Sequence, residues 1–86
     1  MNTQDLFDIA ESVIMTAQKL KNGANVHDLT SGIALVQCWM NHVKHAESLD
    51  CNDPRNAEVI EDLPVRTEFL LDSINRLREM TLKFSS

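Results

Sequence analysis

The sequence predicts an all-α fold, a small antiparallel (up-down-up) bundle of three helices whose third helix is long and kinked or broken near Pro64. Apolar residues recur at helical spacing in three stretches, at about residues 3–21, 26–48 and 54–84. Asn-Gly and Asp-Pro pairs separate these stretches, and no stretch of useful length alternates as a strand would. With 86 residues, we expect a single helical domain spanning residues 1–86.

The first helix is expected from about Thr3 to Lys21. Asn2 or Thr3 can cap it, and the acidic residues of its first turn favour the positive end of the helix dipole. Its apolar residues share one stripe at helical spacing: Leu6, Ile9, Ala10, Val13, Ala17 and Leu20, widened by Phe7 and Ile14. Asn22-Gly23 supplies a left-handed residue of the kind that commonly ends a helix.

The second helix is expected to begin near Asn25 and to run to about Ser48. Its apolar residues form two adjacent rows, a main row of Leu29, Ile33, Val36, Met40 and Val43 and a flanking row of Leu35, Trp39 and Ala46. Gly32 costs about 1 kcal/mol relative to alanine inside a helix. We therefore expect it to mark a close helix crossing or a break in the helix.

The third helix is expected to begin at Asp53 and Pro54, because aspartate caps helices and proline suits the first helical position. Pro64 interrupts the pattern, since it removes one backbone N–H and crowds the preceding turn. The apolar phase continues across Pro64, which favours one kinked helix or two nearly collinear pieces. The main apolar stripe comprises Val59, Leu63, Phe69, Leu70, Ile74, Leu77, Met80 and Phe84.

The composition is that of an ordinary globular protein, with 43% hydrophobic and 24% charged residues. The net charge is −5 and the basic residues are scattered, so the chain offers little to a phosphate backbone or an anionic membrane. The N-terminal residues lack a signal-peptide pattern and the apolar stretches are short, so we expect a cytoplasmic protein without membrane contact. Cys38 and Cys51 are expected to be free thiols, because the helix rise separates them.

The residues most suited to chemistry are Cys38, His42 and His45, which are competent zinc ligands on one helix face. Cys38 and His45 lie roughly 10.5 Å apart along the axis, too far for one ion to bind all three. We therefore expect solvated side chains here, with no metal and no cofactor. The sequence also has no nucleophile motif, and its two glycines cannot form a phosphate-binding loop. We expect no enzymatic activity.

The third helix carries more apolar surface than a peripheral helix buries. Besides the main stripe, Ile60, Leu71 and Leu82 recur every eleven residues along one flank, and the combined arc exceeds about 200°. Two shorter helices are expected to cover only part of this arc, so we expect the extra row to meet a second copy or another protein. Arg66 lies within the arc after Pro64, where it can anchor an interface or bury only its aliphatic stem.

The sequence thus predicts a small intracellular interaction module, a regulator, inhibitor or adaptor that forms a homodimer or docks on another protein through its third helix. Two alternatives stay open. A DNA-associated transcriptional regulator would use the second helix for recognition and expose these side chains on it: Thr30, Gln37, Asn41, Lys44 and His45. An acidic chain can also imitate nucleic acid. A single lysine provides little anchoring on phosphate, so we do not expect nucleic acid as the partner.

Overall fold

The computed structural model describes residues 2–20 and 26–85 and confirms the predicted helical bundle. The elements follow in the order α1 (Thr3–Leu20), α2 (Val26–Ser48), a 3-10 turn (Pro54–Asn56), α3 (Ala57–Glu61) and α4 (Leu63–Ser85). The third helix of the sequence analysis corresponds to the last three elements together. No strand occurs within the described ranges. The Asn22-Gly23 pair and Asn25, expected to end α1 and begin α2, lie outside the described residues.

Helix α1 begins where its capping residue predicts. The side-chain oxygen of Asn2 accepts a hydrogen bond from the backbone N–H of Asp5 at 2.9 Å, which satisfies one of the free donors of the first turn. Ala10 and Ala17 of the predicted stripe have no exposed surface. These small side chains let the axis of α1 approach its neighbours closely, while the larger members of the stripe fill the space between helices: Leu6, Phe7, Val13 and Ile14.

The start of the third helical region is also as predicted, because Asp53 caps the 3-10 turn and Pro54 occupies its first position. The Asp53 carboxylate accepts hydrogen bonds from the side chain and the backbone N–H of Arg55, and these lower the pKa of Asp53. The predicted interruption falls at Asp62, between α3 and α4. Pro64 causes it, since its missing N–H leaves the carbonyl of Ile60 without the helical donor four residues on.

The core lies where α1 and α2 both pack against α4. Leu70, Ile74 and Leu77 of α4 have no exposed surface. The main row predicted for the second helix is buried throughout, which confirms that prediction: Leu29, Ile33, Val36, Met40 and Val43. The prediction that Phe69 belongs to the core stripe is wrong, because its side chain is 50% exposed. Phe69 sits about 100° around the helix from Leu70, at the edge of the arc that α2 covers.

Gly32 marks a close crossing between α2 and α4, one of its two predicted roles. A Cβ atom at this position would lie 2.6 Å from the Met80 terminal methyl group and 3.0 Å from Cδ1 of Leu77. The helix continues through Gly32 without a break. The glycine therefore gives up helix propensity to admit two apolar side chains of α4.

The bundle is elongated and has more surface than a compact chain of this length. Its Cα radius of gyration is 14.6 Å, against about 12 Å expected for 86 residues. The accessible surface is 5743 Å², whereas the size relation for monomeric proteins gives roughly 5,100 Å². The difference, about 600 Å², approaches the roughly 800 Å² that one partner buries in a standard protein interface.

Buried polar side chains are satisfied inside the helices. Ser73 and Thr81 are buried in α4, and their hydroxyls donate to the carbonyls of Leu70 and Arg78. Among the described residues, no buried side-chain nitrogen or oxygen atom is without a hydrogen-bond partner.

Helices long and apolar enough to span a bilayer are absent from residues 2–20 and 26–85.

The close crossing at Gly32 can be tested by a double-mutant cycle with Met80. We expect Gly32→Ala to be more favourable in a Met80→Ala background than in the wild type by about 1 kcal/mol, because removing the Met80 methyl relieves the contact with the new Cβ. Urea denaturation of the four proteins measures the difference in unfolding free energy. Equal effects of Gly32→Ala in both backgrounds would contradict the crossing.

Candidate functional site

An apolar patch runs along the outer edge of the junction between α2 and α4. We define the α2–α4 patch as Leu35 and Trp39 of α2 with Val65 and Phe69 of α4. Leu35, Val65 and Phe69 are 42%, 50% and 50% exposed, and Trp39 is partly buried. Large exposed apolar side chains scattered singly are normal on protein surfaces, whereas a contiguous group of them indicates a binding surface.

Trp39 and Phe69 form the centre of the patch. Their rings stack with centroids 4.8 Å apart and planes inclined by 15°. The ring of His42 also lies beside Trp39, and the centroids of these two rings are 5.3 Å apart. Such aromatic pairs contribute about 0.5–1.5 kcal/mol beyond the area they bury. The stack therefore holds both rings in one orientation while leaving half of Phe69 open to solvent.

Val65 and Phe69 form a ridge with a shallow groove on each side. They lie one turn apart on α4 and line both grooves. The groove towards α2 is completed by Trp39, His42, Asp62 and Arg66. The groove on the far side is completed by Glu68 and Asp72. A ridge of residues four apart between two grooves is the surface that packs against another helix.

Arg66, one of the predicted interface residues, joins α4 to α2. Its Nη1 donates a hydrogen bond to the backbone carbonyl oxygen of His42 at 3.2 Å. Its side chain is half-buried and lines the groove beside Val65 and Phe69. Arg66 therefore links α4 to α2 beside the α2–α4 patch, and it contributes a positive charge to the rim of the patch.

The charges around the patch are of both signs. Asp62 lies at the end near His42, and Arg76 lies at the opposite end, where it lines a groove with Leu35, Ser73 and Met80. Arg76 also pairs with Asp72 one turn earlier, with Nε 3.0 Å from the carboxylate oxygen. An apolar centre with a mixed polar rim is the usual anatomy of a protein interface.

The other three predicted interface residues lie apart from this patch. Ile60 is on α3 and half-buried, on the far side of the break at Asp62. Leu71 is 43% exposed and lines a shallow groove against the start of α1 with Asn2, Thr3, Leu6 and Thr67. Leu82 is 64% exposed, three turns further along α4 at about 16 Å from Leu71. The structure thus spreads the predicted row over two helices and does not bring it together.

The residues considered for metal chemistry do not form a site. Cys38, His42 and His45 are all exposed on α2, and both Cys38 and Cys51 are free. Within residues 2–20 and 26–85, no three His, Cys, Asp or Glu side chains are placed to hold one metal ion. The His42 ring instead packs beside Trp39.

A wider groove of about 510 Å³ separates α1 from α2. Its lining is mixed: Glu11, Ile14, Met15, Gln37, Met40, Asn41 and Lys44. It contains three of the five residues that a DNA-reading second helix would expose, Gln37, Asn41 and Lys44. The Lys44 ammonium, however, lies 5.2 Å above the ring of Phe7. That contact directs the one basic side chain of the groove across α1.

The α2–α4 patch was missed in the sequence because its members were assigned to the apolar rows of the second and third helices. Leu35 and Trp39 were placed in the flanking row of the second helix, and Phe69 in the main stripe of the third. A signal was present, since the main row of α2 already fills the arc of about 100° that a surface helix buries. Leu35 falls outside that arc. The position of Trp39 opposite Phe69 required the register between α2 and α4.

Comparison with known proteins adds no relative: no family model matches the sequence, and neither the curated proteins nor the solved structures contain a significant match.

Three consecutive residues of α4 test the placement of the patch by one substitution each. Leu70→Asp should unfold the domain, because it buries an unpaired carboxylate and costs more than about 4 kcal/mol. Phe69→Asp should leave the chain folded with a loss of about 1–2 kcal/mol, mainly of the stack with Trp39. Leu71→Asp should cost about 1 kcal/mol or less. Urea denaturation followed by circular dichroism measures all three, and an equal loss from Phe69→Asp and Leu70→Asp would place Phe69 in the core.

Proposed function

We propose that this chain is a small cytoplasmic interaction module, a regulator, inhibitor or adaptor, that binds protein through α4 and the adjoining edge of α2. The observation that carries the proposal is the Trp39–Phe69 stack, two large rings packed on each other at the surface. A monomer gains little by keeping such rings at its surface. A binding partner that covers them gains large apolar contacts from side chains already held in place.

The chemistry of the patch is that of an interface centre. Tryptophan and arginine are enriched among the few residues that dominate binding energy, and they cluster in well-packed central positions. Here Trp39 lies next to Phe69, and Arg66 is fixed beside them by its hydrogen bond to the His42 carbonyl. Because these side chains are already ordered, less entropy is lost on binding than for mobile side chains.

The flank of α4 that carries Leu71 and Leu82 is the second candidate surface. Its two leucines are separated by about 16 Å, and Asn75 and Arg78 fall between them on the same flank. Three residues of the α2–α4 patch, Trp39, Val65 and Phe69, instead line one groove, and Leu35 lies one turn from Trp39 on α2. Contiguity therefore favours the α2–α4 patch as the binding surface.

The charges and thiols support the same class of function. Several basic side chains are engaged within the chain, among them Arg55 with Asp53, Arg76 with Asp72, Lys44 with Phe7 and Arg66 with the His42 carbonyl. The net charge of −5 opposes a phosphate backbone, which favours a protein partner over DNA. Two free, exposed cysteines suit a reducing compartment, in keeping with the cytoplasm. We propose no catalytic activity for the chain.

Site-specific photo-cross-linking in cells tests the proposal. A benzophenone amino acid replaces Val65 beside Phe69 in the patch, Leu71 on the other flank of α4, or Gln37, an exposed residue on the α1 side of α2. We expect adducts from position 65 and not from position 37, and we expect Phe69→Asp to abolish them. The measurement is the mass of each adduct on a denaturing gel, followed by peptide sequencing of the attached chain.

Two controls make the outcome specific. Glu79→Lys changes the charge of an exposed residue of α4 outside the patch and should leave the adducts from position 65 intact. Adducts from position 71 alone would move the binding surface to the Leu71 flank. Adducts at none of the three positions, or adducts from position 65 that persist with Phe69→Asp, would contradict an interaction through the α2–α4 patch.

A further inference from the structure

We infer that the partner on the α2–α4 patch is a second copy of this chain, packed with its α4 antiparallel across a two-fold axis beside Phe69. This inference rests on the proposed function and names the occupant of the same surface. It is carried by the arrangement of charge along α4 and by the shape of the Val65–Phe69 ridge.

The charge arrangement is self-complementary only in the antiparallel orientation. Asp62 and Arg76 each lie seven residues from Phe69, on opposite sides of it. Arg76 lies two helical turns from Phe69, on the same face of α4 and about 10.5 Å from it along the axis. Asp62 immediately precedes α4 and lines the groove of Val65 and Phe69 at the other end. A two-fold axis at Phe69 therefore brings Asp62 of each copy opposite Arg76 of the other. The parallel orientation would instead bring Asp62 against Asp62 and Arg76 against Arg76.

Both members of the pair are available for such a contact. Asp62 is exposed, and the Arg76 side chain is 70% exposed although it pairs with Asp72. A guanidinium has five N–H donors and can bind two carboxylates at once. The two symmetry-related contacts would frame the aromatic centre at both ends, in the polar rim where charges set orientation more than affinity.

The shape of the surface fits the same arrangement. Val65 and Phe69 form a ridge, and a groove runs along each side of it. Two copies in antiparallel contact place the ridge of each beside the groove of the other, which is how helices interlock.

The test is a charge exchange between two variants, followed by sedimentation equilibrium at low salt from about 1 μM to 1 mM, the range expected for a small interface. The wild type should reach twice the 9.7 kDa chain mass. Asp62→Arg and Arg76→Asp should each weaken self-association about 10-fold, because each places like charges together at both ends of the interface. An equal mixture of the two variants should associate as the wild type does, since every contact between unlike chains is again of opposite sign.

Matched controls separate orientation from general charge effects. Arg78→Asp makes the same change two residues along α4, outside the patch, and should self-associate as the wild type does. Its mixture with Asp62→Arg should not restore association to the wild-type level. The double variant D62R/R76D should self-associate as the wild type does, and circular dichroism shows that each protein is folded.

The outcomes distinguish this inference from the proposed function. A wild-type chain that stays monomeric throughout overturns the second copy, whereas patch-dependent cross-links to another protein would still support an interaction module. A wild-type dimer that Phe69→Asp disrupts but that the mixed variants fail to restore overturns the antiparallel arrangement alone. Restoration by the mixture, with no such effect of Arg78→Asp, supports both the partner and the orientation.

Discussion

The bundle depends on one row of side chains, Leu70, Ile74 and Leu77 of α4, which are fully buried because both α1 and α2 pack against them. A small domain of this kind has a single core and little stability to spare. Every other feature follows from how that row is covered. Alanines bring α1 close on one side, and Gly32 lets Leu77 and Met80 approach the backbone of α2 on the other.

Because α1 and α2 cover this row, the outer arc of α4 has no helical neighbour among residues 2–20 and 26–85. On the side of α4 next to α1, the exposed positions are mostly polar, and the two exposed leucines, Leu71 and Leu82, lie far apart. On the α2 side Val65 and Phe69 stand together, and Trp39 extends the apolar surface onto the neighbouring helix. The elongated shape and the surface area of 5743 Å² have the same origin. The patch is thus a consequence of the core arrangement, and its aromatic content makes it suited to binding protein.

Much of this architecture can be predicted from residue periodicity. The helix ranges, the Asn2 and Asp53 caps, the buried row of α2 and the interruption near Pro64 all follow from local rules that need no knowledge of tertiary contacts. The position of the proposed binding surface does not follow from such local rules. The excess apolar surface of the third helix is visible in the sequence, but which of its apolar residues lie close together at the surface depends on how α1 and α2 cover it. The break at Asp62 separates Ile60 from Leu71 and Leu82. The register between α2 and α4 determines that Phe69 contacts Trp39 at the surface.

Trp39 is the only tryptophan in the chain, so its fluorescence reports whether the indole is covered when the chain binds a partner. Acrylamide quenching measured from low to high protein concentration reports how much of the indole is reachable by solvent. If Trp39 lies at the centre of the interface, quenching falls and the emission maximum shifts to shorter wavelength as the chain associates, and Phe69→Asp removes both changes. Quenching and emission that stay constant over the concentration range in which the mass of the wild type doubles would place Trp39 outside the interface.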